Sequence, residues 1–375
     1  MKHRSSIPIE LLTSSGQVSD LARILSQERC IAIDTESNSR HRYPEKICLV
    51  QVATNSNVYL IDAVAVDDMK PIGEVLADET VVKVIQGADY DIRCLDREWG
   101  FRVRNLFDTF IAGRFAGMKQ TGLSALIEAL LGVHVPKLAR IQKSDWSQRP
   151  LSQDALNYAA TDVWYLLSIQ EALESRLQTL SRSSWVSEEC ARLEEIRYVA
   201  PDPETAFLSL KGSRRLNGQE KAILKRLFLL RDAEARRRNR PPYYVLPHET
   251  LVYLASNPAA DLAQLPSFRR QVDSRFGRLL REALHRGLAD PPISNPIRHS
   301  IQPLSPVEYK RLQILKKWRA NLGGQLSIDP ALVWPMASLE RLAKVPETLD
   351  AEFKSPEVRQ WQREQFGTSL GASLA

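Results

Sequence analysis

Strand-forming signals in this chain stop at about residue 200, and that change limits what it can fold into. Residues 30–33, 47–53, 58–61 and 81–85 are short, rich in β-branched side chains and bounded by polar or turn-forming stretches, the pattern of four strands. Helical periodicity covers residues 18–27, 91–99, 122–131 and 152–177. The first strands succeed one another with no helix between them, so a mixed sheet flanked by helices is expected rather than a purely parallel one. Beyond the proline-containing residues 199–204 the chain reads as helical. Ile223, Leu227 and Leu230 recur at i, i+4, i+7, and Leu312, Leu315 and Trp318 at i, i+3, i+6.

The helical half carries a divergent internal repeat. Arg226-Leu227-Phe228-Leu229-Leu230 is echoed by Arg311-Leu312-Gln313-Ile314-Leu315, and Leu254-Ala255 by Leu342-Ala343. Between the copies Pro291, Pro292, Pro296, Pro303 and Pro306 mark an extended linker. The expected division is an α/β domain over residues 1–200 and two all-α domains over residues 210–292 and 303–375.

Charge follows the same division. Residues 1–200 hold 23 Lys and Arg against 27 Asp and Glu, whereas residues 201–375 hold 28 against 18. An acidic half suits cations and a basic half suits a polyanion such as nucleic acid. Cys30, Cys48, Cys94 and Cys190 show no CxxC spacing and read as small core residues rather than a zinc site or disulfide framework. No apolar run approaches a membrane span, and the opening residues lack the apolar stretch of a signal peptide. A soluble cytoplasmic protein without membrane association is expected.

Three acidic features carry chemistry. Asp34 and Glu36 stand at i and i+2 where a buried strand is expected to end, so alternation places both on one face. Asp91 follows Gly87 where a helix is expected to begin, with Asp89 as an alternative N-cap. Tyr158 and Asp162 stand at i and i+4 beside an apolar stripe of Leu156, Ala159, Val163 and Leu166. Each alone reads equally well as a solvated surface group. Together they offer four carboxylates and a phenol to a pair of hard cations, Mg²⁺ or Mn²⁺, and the lack of His or Cys clusters argues against zinc.

With these motifs in order, the chain closely resembles the tyrosine branch of the DEDD exonuclease superfamily, specifically the ribonuclease D group and its eukaryotic exosome relatives. The likeness covers about residues 20–180 and includes IDTES, GADYDIRCL, Leu106-Phe107-Asp108-Thr109, the segment from Lys143 to Leu151, and NYAATD. The resemblance implies a ribonuclease H-like α/β exonuclease domain in which Asp34, Glu36, Asp91 and Asp162 hold two divalent cations. By the same likeness Tyr158 orients or helps deprotonate the attacking water, and 5′-nucleoside monophosphates leave one at a time from a 3′ end. Relatives often carry His at the position of Gln86. Asp108 is expected to be structural or to stand behind the site's ligands, outside the catalytic set, and Lys143, Trp146 and Arg149 either to support the site or to touch substrate. Residues 213–290 resemble an HRDC domain, with the second helical module a fainter copy.

The basic residues Arg236, Arg237, Arg238 and Arg240, with Lys225, Arg226 and Arg231, crowd the first helix of the helical half near Tyr243 and Tyr244. They suit phosphate contacts to RNA, while the two tyrosines are expected to pack in the core. The family's usual substrates imply structured RNA precursors with a single-stranded 3′ end, tRNA among them, and no obligate protein partner is evident. A DNA exonuclease and a catalytically inactive nucleic-acid-binding scaffold are the alternatives.

Overall fold

Seven consecutive buried side chains, Ile47–Ala53, require a strand covered on both faces. The computed structural model describes residues 7–136, 138–265, 268, 272–294 and 303–374. It places that strand inside a sheet of six among the described residues: β1 (Ile9–Leu12), β2 (Cys30–Ser37), β3 (Ile47–Ala53), β4 (Val58–Asp62), β5 (Val82–Ile85) and β6 (Leu106–Asp108). Their order is β1-β4-β3-β2-β5-β6. β4 runs antiparallel to β3, whereas β1–β4, β2–β5 and β5–β6 are parallel, so the sheet is mixed as consecutive strands require. Two strands exceed the four expected. β1 buries only Leu12 fully and β6 has three residues, so neither displays a period.

Among the described residues nine helices flank the sheet: α1 (Ser15–Leu25), α2 (Lys70–Ala77), α3 (Asp89–Trp99), α4 (Thr109–Phe115), α5 (Leu123–Leu131), α6 (Ala139–Gln142), α7 (Gln153–Trp164), α8 (Leu166–Thr179) and α9 (Ser183–Glu194). On one sheet face Leu49, Ala53 and Val84 pack with Ala155, Ala159 and Val163 of α7; on the other, Ile31, Ile33 and Val50 pack with Leu21, Leu25, Ile72 and Ile92. The expected single helix over residues 152–177 is broken at Tyr165 (φ −93°, ψ −8°). The break re-aims the apolar stripe, since Val163 and Leu166 join the α7 cluster while Ile169, Leu173 and Leu177 join the opposite one.

The helical half repeats element for element. α10 (Gly218–Arg238), α11 (Pro242–Val245), α12 (His248–Ser256) and α13 (Arg275–Ala289) have 21, 4, 9 and 15 residues. α14 (Pro306–Leu326), α15 (Pro330–Val333), α16 (Met336–Lys344) and, after α17 (Leu349–Phe353), α18 (Gln360–Leu374) have the same lengths. Both long helices open with a reciprocal capping box, Asn217 with Glu220 and Ser305 with Glu308. Both close on a residue of positive φ, Asn239 at 49° and Ser327 at 53°. Residues 295–302 of the proline-rich connection lie outside the described residues.

The chain divides into two compact units, one of Met1–Glu36, Ile47–Tyr198 and Gln302–Ala375, the other of Ser37–Lys46 and Val199–Ile301. The second helical module therefore shares the core of the α/β part. Trp361 stacks on Trp185 with ring centres 4.6 Å apart, and Phe115 meets Trp361 edge-on at 5.2 Å. Glu188 accepts from the Gln360 and Trp361 N–H groups at 2.7 and 3.0 Å, satisfying free donors at the start of α18. Arg182, 5% exposed, donates to the carbonyls of Phe115 and Leu326. Among the described residues no helix is long and apolar enough to cross a membrane.

Trp361→Ala should destabilise the first unit by about 3–5 kcal/mol, the usual cost of emptying a buried aromatic site. Chemical unfolding followed by tryptophan fluorescence measures it, and a loss below about 1 kcal/mol would show that the two parts do not share a core.

Candidate active site

β2 continues through Ser37, so the strand runs past the expected end and contains both Asp34 and Glu36. Asp34 and Glu36 are half-buried and Thr35 between them is buried. The Thr35 hydroxyl donates to Asp91, joining β2 to the first turn of α3. Asp89 is not the N-cap: Ala88 is, and Asp89 pairs with Arg93 at the surface.

The start of α3 is fixed by a buried acid outside the expected catalytic set. Asp108, 1% exposed, accepts the N–H groups of Gly87 (3.2 Å), Ala88 (2.8 Å), Phe110 (2.8 Å) and Ile111 (3.1 Å). It caps α4 and clamps the turn where Gly87 takes φ +73°, a conformation that a side chain would strain. Gln86 donates to the Thr121 carbonyl at 2.8 Å and accepts from Thr109, tying this turn to the loop before α5. Asp108 thus holds the backbone of this turn, and its charge acts on Asp91.

Asp34, Glu36, Tyr158 and Asp162 line one cleft of about 760 Å³. Ser152 caps α7, which carries Tyr158 and Asp162 one turn apart. Gly122, Leu123, Val135, Pro136 and Leu138 form much of the remaining lining. Sequence reading missed this wall, because apolar residues in a helical pattern are indistinguishable from core. Asp91 is only 6% exposed and meets the group through Thr35 and through its charge.

Electrostatics bind the group together. Burial, then the charges of Asp91, Asp162 and Glu36, hold the Asp34 carboxyl well above the usual range. Burial, Asp162 and Asp91 push Glu36 up to about 9. Burial raises Asp162 to about 7, against the Tyr158 hydrogen bond, and Asp91 to about 6, against the Thr35 hydroxyl. Burial and the charges of Asp162 and Glu36 also raise the Tyr158 phenol, so it keeps its proton. Among the described residues no three His, Cys, Asp or Glu side chains close around one point as a metal cage. Mg²⁺ needs none, since one or two carboxylates with water and substrate phosphate commonly suffice.

Arg149 departs from its expected contact with nucleic acid. It donates to both carboxylate oxygens of Asp62 at 2.6 Å and to the carbonyls of Trp146, Gln148 and Cys48, which occupies its fork internally. Trp146, 1% exposed, packs beneath α7 with its ring centre 6.2 Å from that of Tyr158. In the second unit Arg236 pairs with Asp232, while Arg237, Arg238 and Arg275 share the buried Glu234. These arginines stay partly exposed and outnumber their acids; Arg240 is exposed. Tyr243 and Tyr244 are not core residues: they are 42% and 61% exposed, with rings 4.5 Å apart, because Pro241 and Val245 take the inward positions.

A mixed sheet with an acid-lined cleft and a basic helical module defines the class of 3′–5′ exonucleases with an HRDC domain. The family models described as 3′–5′ exonuclease and HRDC domain match residues 9–178 and 220–284. Over 367 residues the chain is 33% identical to the ribonuclease D of Granulibacter bethesdensis, covering 95% of this chain and 90% of that one. The fold is that of Escherichia coli RNase D, with a TM-score of 0.73 at 22% identity, covering 98% of this chain and 99% of that one. A protein from Bifidobacterium adolescentis gives a TM-score of 0.81 at 22% identity, covering 99% and 98%. The chain belongs to the ribonuclease D family.

Without added cations, Glu36→Gln should become progressively more stable than the wild type as pH rises from about 4.5 to about 9. The Glu36 carboxyl titrates near 9 in the fold, so its ionisation opposes folding throughout that window. Melting temperatures of both proteins across the range test this, and a difference that does not grow with pH would contradict it.

Proposed function

We propose that the chain is a divalent-cation-dependent 3′–5′ exoribonuclease that releases 5′-nucleoside monophosphates from structured RNA precursors, tRNA among them. One observation carries the reading: Asp34, Glu36 and Asp162 line one cleft with Asp91 buried beside it, and burial raises all four carboxyls, with repulsion from the other acids added at Asp34 and Glu36, which suits a site completed by positive charge. The donor set is all oxygen, which fits Mg²⁺ or Mn²⁺. These four carboxylates would hold two cations. Bound there, the cations would supply the charge that makes a water nucleophilic and stabilises the leaving oxygen of a phosphodiester.

The chain's own groups do the rest. Tyr158 keeps its proton, its phenol raised by burial and by the charges of Asp162 and Glu36, so its role is to orient rather than to act as the first base. Leu123, Val135, Pro136 and Leu138 add apolar lining to the acid-bearing cleft, suited to the base and sugar of a terminal nucleotide. In the second unit the adjacent, exposed Tyr243 and Tyr244, their rings tilted by 43°, offer faces for unpaired bases, and Arg236, Arg237, Arg238 and Arg240 supply positive charge for the backbone. The family assignment and the basic excess of residues 201–300, 18 Lys and Arg against 10 Asp and Glu, support an RNA substrate.

Asp34→Ala should abolish Mg²⁺-dependent mononucleotide release while leaving RNA affinity within about threefold, since it removes a group acting on the reacting phosphate. Tyr158→Phe should lower kcat by about 10²-fold, the scale of one positioned proton-transfer or orienting group. Product analysis on matched 5′-labelled and 3′-labelled RNA and DNA oligonucleotides checks both. Turnover by Asp34→Ala would refute the site, and preference for DNA would refute the substrate.

A further inference from the structure

The second compact unit is built from two stretches of chain, Val199–Ile301 and the short segment Ser37–Lys46. Inside that unit the short segment docks on the far end of α10. Asn239 Oδ1 accepts the Tyr43 N–H at 3.2 Å, Asp232 accepts the Tyr43 hydroxyl, and the Tyr43 ring lies 5.1 Å from the Arg236 guanidinium. Asp232, Arg236 and Asn239 stand at i, i+4 and i+7, one face of α10 and its cap. Next to this hold, the Tyr243 hydroxyl donates to the Arg40 carbonyl at 3.2 Å. Arg40 is thereby fixed beside α11.

What the two stretches display together is a pair of rings flanked by cations. Tyr243 and Tyr244 are 42% and 61% exposed, with ring centres 4.5 Å apart. Burial and Tyr244 raise the Tyr243 phenol and the charge of Arg40 opposes them, so that cation acts on the ring pair. Arg40 and Arg240 are both exposed, and neither forms an ion pair among the described residues. Arg236 and Arg237, by contrast, are tied to Asp232 and Glu234. Only the carbonyl of Arg40 is used by the fold here, which leaves its guanidinium to solvent or a ligand. An unpaired nucleic-acid strand offers both complements, phosphate charge and flat base faces. A duplex hides its base faces, and an acidic peptide would meet the cations and leave the rings unused.

We propose that Arg40 is an RNA-binding residue. Its segment and the first helical module form one surface for an unpaired strand, with Arg40 and Arg240 on phosphates and Tyr243 and Tyr244 stacked on bases. This rests on the reading of the helical module as RNA-binding and extends it to a residue that precedes the module by most of the exonuclease domain in sequence.

The test is fluorescence anisotropy of a labelled oligouridylate bound to the full-length protein without divalent cations, at several salt concentrations. Arg40→Ala should weaken binding about threefold to tenfold and reduce the slope of log affinity against log salt by about 0.7, the share of one phosphate contact on a single strand. Arg40→Lys should restore the slope. Tyr244→Ala should weaken binding about tenfold with the slope unchanged, as expected for a lost stacking contact. The control of equal charge is Arg286→Ala. Arg286 pairs with Glu282 near the start of α10, where Gln219 meets the Gly287 carbonyl, about 30 Å along the 21-residue helix from Asn239. It should leave the slope as it is. An unchanged slope in Arg40→Ala, or the same loss in Arg286→Ala, would overturn the proposal, as would a wild type that does not bind the oligomer. Failure of the wild type to release mononucleotides once Mg²⁺ is added would overturn the exonuclease reading instead.

Discussion

The gathering of wholly and partly buried carboxylates at one cleft is the constraint on which this protein is organised. Withdrawing each carboxylate from water costs several kcal/mol even after relaxation, and placing four together adds to that cost. They would separate or swing into solvent if their backbones allowed it. Three elements prevent this: β2 is locked inside the sheet beside β3 and β5, α3 starts at a turn clamped by four hydrogen bonds to Asp108, and α7 is pressed against the sheet through Ala155, Ala159 and Val163. The site is therefore a strained electrostatic arrangement held by ordinary packing, and cations would relieve it.

Much of the polar apparatus around the cleft serves that holding. The Asp62 carboxylate and the Arg149 guanidinium form a bidentate pair that fastens the segment after Trp146 to the end of β4. In sequence, Arg149 and Trp146 beside acidic motifs look like substrate contacts, and only the direction of their side chains reveals the difference. That Tyr158 and Asp162 share a cleft with Asp34 and Glu36 was legible because i, i+2 spacing on a strand and i, i+4 spacing on a helix each put two side chains on one face. The cleft wall of Leu123, Val135 and Leu138 was not, since its apolar residues obey the same periodicity as a core. β1 and β6 escaped because four and three residues cannot display a period.

The two helical copies show how one scaffold takes different roles. They keep the same element lengths and the same capping boxes, which secure the helices locally. Their surfaces have diverged. Residues 201–300 carry 18 Lys and Arg against 10 Asp and Glu, with exposed tyrosines, whereas residues 301–375 carry 10 against 8 and bury Trp361 against Trp185. The first copy suits a polyanion, and the second completes the core of the exonuclease unit. Nothing in sequence foretold the Trp185–Trp361 contact, because residues so far apart share no local period.

The central claim is that these raised carboxyls give up protons to divalent cations. Calorimetric titration of Mn²⁺ into the cation-free protein at pH 7, repeated in two buffers of different ionisation enthalpy, measures the protons released per ion directly. Net proton release, diminished in Glu36→Gln, is the result predicted from a carboxyl that titrates near 9. Binding with no proton release, or no binding at millimolar Mn²⁺, would contradict it.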